Sequence, residues 1–187
     1  LSFEVPKGFD SVSEPVDQAM LLELAEVVRQ ATDAFENYDH TKCLELTEHF
    51  FWKFTDDYLE LVKDRAYNAD GSVSEAQQAS AAIALRKALH VMLRLFAPFL
   101  SFATEEVWGW WQTGKGSIHR AAWPTAEEII EGLDAGNAGL LELASTALFG
   151  VRKAKSDAKV SMKAAVESAV IAAPATVLTS LRLLEHD

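Results

Sequence analysis

Along most of the chain, hydrophobic positions recur every three or four residues, the period of an α-helix with one face on a core. The widest such face lies within residues 41–67. Leu44, Thr47, Phe51, Phe54, Tyr58 and Leu61 form one line, and Cys43, Leu46, Phe50 and Phe54 a second beside it. A helix apolar over that arc needs neighbours on at least two sides, so it is expected to be the central rod of an antiparallel bundle. Ahead of it, Val16, Met20, Leu24, Val27, Ala31, Phe35 and Tyr38 predict another helix. Ser11 and Glu14 have capping-box spacing at its start, and Pro15 suits a first turn. Asp39 or Thr41 is placed to cap the rod.

The loop 68–72 is followed by Ser74 and Gln77, again at capping-box spacing, which open a helix over 75–96. Its polar side carries Arg86, Lys87, His90 and Arg94, and Pro98 ends it. A helix over 102–111 follows, with Ser101 placed to cap it. Gly114 and Gly116 then break the chain, and 117–124 reads as extended. A short helix is expected over 127–133 and a longer one over 139–158. Residues 165–173 read as a strand, and Pro174 opens a last helix to Leu184. A lone strand needs a partner; either one comes from beyond Asp187 or the stretch is irregular. The fold class is therefore mainly α. An antiparallel helical bundle over 1–124 is followed, over 125–187, by connecting helices and the start of a small α+β appendage.

Composition narrows the functional classes. Hydrophobic content of 49% and charged content of 24% are those of an ordinary soluble globular protein. No apolar run approaches the ~18 residues needed to span a membrane. The first residues show no signal-peptide pattern and no starting Met, which suggests a piece of a longer chain. Cys43 is the one cysteine, so no internal disulfide forms and a reducing cytoplasm is the expected setting. On the apolar side of the rod it reads as a small buried hydrophobe. His40, His49, His90, His119 and His186 have no metal-ligand spacing, so no metal is expected. The net charge of −11 argues against broad nucleic-acid affinity, DNA included. The charge is uneven, however. Between Ala81 and Pro124, Arg86, Lys87, Arg94, Lys115 and Arg120 face only Glu105 and Glu106.

No glycine-rich phosphate loop, nucleophile elbow or His-Glu-x-x-His helix is present, so catalysis has no candidate residues here. Asp56, Glu60 and Asp64 fall four apart on the rod. They form either a solvated face or, with Glu60 foremost, a site accepting hydrogen bonds from a ligand. Adjacent Asp56 and Asp57 point about 100° apart on a helix and read as surface charges. Trp52, Trp108, Trp110, Trp111 and Trp123 serve either a core or base stacking, and Trp110 and Trp111 cannot both face one core. Arg152, Lys155 and Lys159 share one strip if the helix there runs on, as a solvated end or a phosphate contact.

Several stretches together resemble the anticodon-binding helical domain of bacterial class I valyl-tRNA synthetases. They are His49-Phe50-Phe51-Trp52 through Tyr58-Leu59-Glu60-Leu61-Val62-Lys63; Leu93-Arg94-Leu95-Phe96-Ala97-Pro98-Phe99 with Phe102-Ala103-Thr104-Glu105-Glu106-Val107-Trp108; Ser117-Ile118-His119 with Trp123-Pro124; and Val151-Arg152-Lys153-Ala154-Lys155. The order matches over nearly the whole chain. Thr55-Asp56-Asp57 replaces the usual Cys-Asp-Trp, and Ser101 stands where a proline is usual. Isoleucine, leucine and methionine enzymes share the Thr-Glu and Trp-Pro elements, so the same domain of an isoleucine–tRNA ligase is an alternative. A helical protein-interaction module without an RNA role is another. The resemblance implies a parent valine–tRNA ligase using ATP with magnesium in a catalytic domain of the same chain, absent here with both ATP signatures. It implies that this piece binds the tRNA for valine without catalysing and holds no cofactor itself. Lys53, Glu60, Arg65, Arg86, Arg94, Arg152, Lys155 and Lys159 are the expected tRNA contacts, with Glu60 accepting from a cytosine amine.

Overall fold

The computed structural model describes residues 5–69, 71–112 and 114–184. The helices are α1 (Pro15–Glu36), α2 (His40–Lys53), α3 (Leu59–Tyr67), α4 (Glu75–Phe96), α5 (Ser101–Trp111), α6 (Ala126–Ile130), α7 (Leu140–Asp157) and α8 (Ala175–Arg182). α1 packs against α2, α4, α6 and α7, and α3 packs on α4. One core runs through these elements. Val16, Met20, Leu21 and Leu24 meet Phe50, Tyr58, Val62 and Leu95, and Ile129, Leu140 and Leu141 belong to the same cluster.

The rod is central as expected, but it is not one continuous α-helix. A π-helical turn, Phe54–Tyr58, joins α2 to α3. Four residues of α-helix drift about 40° around the axis. The wider π turn takes that drift back, so Phe50, Phe54 and Tyr58 stay in line. Their rings follow one another at 6.3 and 5.5 Å between centroids.

This alignment delivers Tyr58 to a buried carboxylate. Asp17 on α1 is fully buried and accepts from Tyr58 Oη at 2.7 Å. Arg65 grips it with both terminal nitrogens, Nη1 to Oδ2 and Nη2 to Oδ1, each at 2.8 Å. Ser80 of α4 donates to Oδ2 at 2.6 Å. The Ser80 hydroxyl in turn accepts from the backbone N–H groups of Ser13 and Glu14, at 3.0 and 2.9 Å.

That arrangement corrects the expected start of α1. Glu14 is the N-cap and makes no side-chain capping bond, so the Ser11–Glu14 box does not form. The hydroxyl that serves this turn comes from Ser80. The Ser74–Gln77 box forms as expected, as does the Asp39 cap, which accepts from the Lys42 N–H. Tyr38 leaves the α1 stripe. It is 89% exposed, with φ at +60°, in a turn closed by Asp39 N–H to Ala34 O and Tyr38 N–H to Phe35 O. That pattern is a left-handed helix stop. Ser101 is the first residue of α5 rather than its cap, which falls on Leu100. The 117–124 stretch contains a single 3₁₀ turn, Ile118–Arg120. Residues 165–173 form no strand; no neighbouring strand exists among the described residues to satisfy them.

Cys43 is fully buried, and burial pushes its thiol up to about 11, beyond what its bond to Thr47 recovers. It reads as packing, since the thiolate is the reactive form.

Asp17→Asn should destabilise the chain by about 3–5 kcal/mol, because it leaves Arg65 buried without its counter-charge. Urea unfolding checks this. The Asp17→Leu/Arg65→Met pair should cost less than the two single changes summed.

Candidate nucleic-acid interface

The residues expected to meet RNA fall into two groups. Lys53, at the end of α2, reaches both Glu23 of α1 (2.9 Å) and Glu142 of α7 (2.6 Å). Burial pulls its ammonium down, but the bonds to Glu142 and Glu23 outweigh that and leave its pKa raised. Arg65 is sealed against Asp17 with 2% of its side chain exposed, where no phosphate reaches it. Arg94 was expected on the polar side of α4 and is buried instead. Its guanidinium bonds Glu128, the Ala122 carbonyl and the His90 carbonyl. Arg152 holds the Asp57 carboxylate at 2.7 Å and the Asp56 carbonyl. Asp57 is therefore no bare surface charge; it fastens the π turn to α7.

The second group has no tie, among the described residues, to an acid on another element. Glu60 lies on the outer side of α3, exposed like Asp56 and Asp64, and accepts from Lys63 Nζ at 2.7 Å. Arg86 is exposed on α4. Lys155, half-buried, donates to the Met162 carbonyl at 3.0 Å. Lys159 lies past the end of α7 with φ at +54°, so it does not continue the strip of Arg152 and Lys155. The helix stops at Asp157, which the lysine-rich composition there does not signal.

Arg86 borders a cleft of about 950 Å³ between α4, residues 5–12, the end of α5 and residues 128–133. Lys87, His90, Trp111 and Lys115 also line it. Lys87 donates to the Ile129 carbonyl at 2.9 Å, and burial lowers its pKa against the pull of Glu131 and Glu128. Burial, with the neighbouring Arg94 charge, also lowers His90. The His90 ring lies 5.0 Å from Trp108 and 6.1 Å from Trp111, centroid to centroid. Among the described residues, no group of three or more His, Cys, Asp or Glu is placed to hold a metal ion.

The short motifs prove to be joints. Glu105 accepts from Ser117 Oγ (2.9 Å) and from the Ile118 N–H (3.0 Å), clamping the 3₁₀ turn to α5. Trp108 is buried and donates to the Gly116 carbonyl at 3.1 Å. Trp123 sets its edge on Phe35 at 5.1 Å and donates to Thr32 Oγ1 at 2.9 Å. Sequence patterning gave no role to Asp17 or Ser80, whose only signal was a polar residue on an otherwise apolar helix face.

A rod with one open flank, held by joints of this kind, can be matched against known domains. Residues 17–171 fit the family model described as the anticodon-binding domain of tRNA ligase. The chain belongs to that family. Its relatives include a valine–tRNA ligase of Thermobifida fusca, 54% identical over 161 residues, which are 86% of this chain and 18% of the relative. Those of Leifsonia xyli subsp. xyli (50% over 189 residues, 100% of this chain, 21% of the relative) and Cutibacterium acnes (48% over 176 residues, 94% and 20%) are similar. The anticodon-binding domain described here thus spans about a fifth of the length of these relatives. No described helix is long and apolar enough to cross a membrane.

His90 yields a direct check on the cleft. Its depressed pKa means that burying the neutral ring stabilises the fold fully above the ordinary 6.5. That contribution is lost as pH falls below 6.5 towards the lower folded value. An NMR titration of the His90 ring protons should show a midpoint below 6.5, and His90→Phe should flatten the loss of stability as pH falls below 6.5.

Proposed function

We propose that this domain grips the anticodon loop of the tRNA for valine, as part of a cytoplasmic valine–tRNA ligase. The parent enzyme would activate valine with ATP and magnesium in a catalytic domain outside this chain. The domain itself holds no catalytic residue and no cofactor; its partners are the tRNA and the catalytic domain of the same chain. The observation that carries the reading is half-identity to valine–tRNA ligases over 86% or more of the chain, coupled with the anticodon-binding family match.

Within that reading, Glu60 is the base reader. Its exposure on the rod and its short tether to Lys63 support it, since a carboxylate can accept from a cytosine amine. Of the cations expected at the interface, Arg86, Lys155 and Lys159 are the ones without an acidic partner among the described residues, left to meet phosphates. Lys53, Arg94 and Arg152 act through the surfaces they hold in place, and Arg65 through the buried core. The division near residue 124 remains part of the proposal, with the bundle before it and the connecting helices after.

Charging assays with the parent enzyme test this. Valine should be attached to a transcript carrying the valine anticodon, and each misread anticodon base should cost about 1–3 kcal/mol. Glu60→Gln should lower kcat/KM for tRNA by about 5- to 100-fold, the worth of one good base contact. Unchanged charging by this variant would remove Glu60 from the site. Isoleucine attachment would reassign the domain.

A further inference from the structure

α5 has one face that the bundle uses and one that it leaves bare. Thr104 and Trp108 are buried, and Glu105 clamps the following turn. On the other side Phe102 is 94% exposed and Trp110 71% exposed. Ala103, Glu106 and Gly109 are exposed between them. These five positions fall within an arc of about 120°. Leaving a large aromatic in water forgoes about 1.5–3 kcal/mol of burial, so two on one short helix call for a partner.

The face is ordered and open. Trp110 Nε1 donates to Glu106 Oε1 at 3.1 Å, tying the ring to the preceding turn. A Cβ added at Gly109 would meet nothing within 4 Å, so the floor beside Trp110 is unobstructed. At the start of α5 the His119 ring meets the Ser101 carbonyl at 3.1 Å, bringing the neighbouring Arg120 to this end of the helix. Arg120 is exposed, and its side chain makes no hydrogen bond or ion pair among the described residues. Lys115, past the other end, instead lines the cleft beside His90.

We propose that this outer face is a stacking platform for unpaired tRNA bases. Bases lie on Phe102 and Trp110, while a flanking phosphate meets Arg120. The proposal rests on reading the chain as a tRNA-binding domain. Three features favour RNA over an apolar protein partner. The bare residues are flat aromatics, which stack on any base. The platform lies within residues 81–124, a stretch whose charge balance is basic. Phe102 and Trp110 stand about 12 Å apart along the axis, several times a stacked step of about 3.4 Å, so they serve separate, splayed bases.

The test uses the 187-residue chain and a transcript of the tRNA for valine, with binding followed by fluorescence anisotropy at low salt. Phe102→Leu and Trp110→Leu keep apolar bulk but remove the ring, and each should weaken binding by about 5- to 150-fold. Trp110→Phe should retain most of it. Circular dichroism verifies that these exposed substitutions leave the fold intact. Unchanged affinity in both leucine variants overturns the platform and leaves the anticodon reading standing. So does failure of the unaltered chain to bind the transcript, because the face lies wholly within it. A self-association in sedimentation that the leucine variants abolish, with RNA binding untouched, would assign the face to protein and overturn the proposal. If the chain instead binds valine and anticodon-exchanged transcripts alike, the anticodon reading fails while base-indifferent stacking survives.

Discussion

The carboxylate of Asp17 is the point on which the bundle closes. Four hydrogen bonds converge on its two oxygens from the π turn, α3 and α4. A charge buried this deeply is tolerated only when it is paired and every lone pair is used. Satisfying it dictates much else. Tyr58 must point at α1, which requires the π turn. Arg65 must lie inside, which removes it from any surface. Ser80 must face the first turn of α1, where it also receives two backbone N–H groups that a local cap leaves unmet. The geometry of three helices is thereby fixed by polar contacts, while the apolar core around them supplies most of the burial.

Helix existence was legible because apolar periodicity survives even in a short amphipathic element. α1, the rod, α4 and α7 stand within a few residues of where the pattern put them. What the pattern could not carry was any contact between residues distant in the chain. Ser11 and Glu14 have the right spacing for a cap, but Ser80 reaches that turn across 66 residues. The π turn was hidden because Phe50, Phe54 and Tyr58 at intervals of four suit an α-helix as well as the observed line. Residues 165–173 show the converse, taking the irregular form that was one of the two alternatives. β-branched residues such as Val166, Val170 and Ile171 suit a strand, yet a strand exists only with a partner to bond.

The candidate contacts were less legible for an electrostatic reason. Residue type and helical spacing locate a cation on a helix, but its availability depends on which carboxylates the fold brings up. In a chain with 28 acidic and 17 basic residues, a cation often finds an internal acid. Lys53, Arg94 and Arg152 all do so across at least 30 residues of sequence. Arg152 on Asp57 and Lys53 on Glu142 also bind α7 to the rod, one within the π turn and one just before it, so these charges set the position of the helix carrying Lys155.

In a domain with a net charge of −11, releasing counterions from phosphates is a weak source of RNA affinity, because acids outnumber the cations that would replace them. Long-range attraction is weak too, since the overall field repels the approaching backbone. Binding must then draw on contacts indifferent to net charge: aromatic faces, shape, and hydrogen bonds to base edges. Such contacts work on unpaired, splayed nucleotides and fail on a duplex, whose bases are stacked away. On the proposed reading, an acidic surface with exposed rings and scattered cations favours a loop over the helical arms of the same tRNA, and the repulsion that lowers total affinity would confine what remains to the loop.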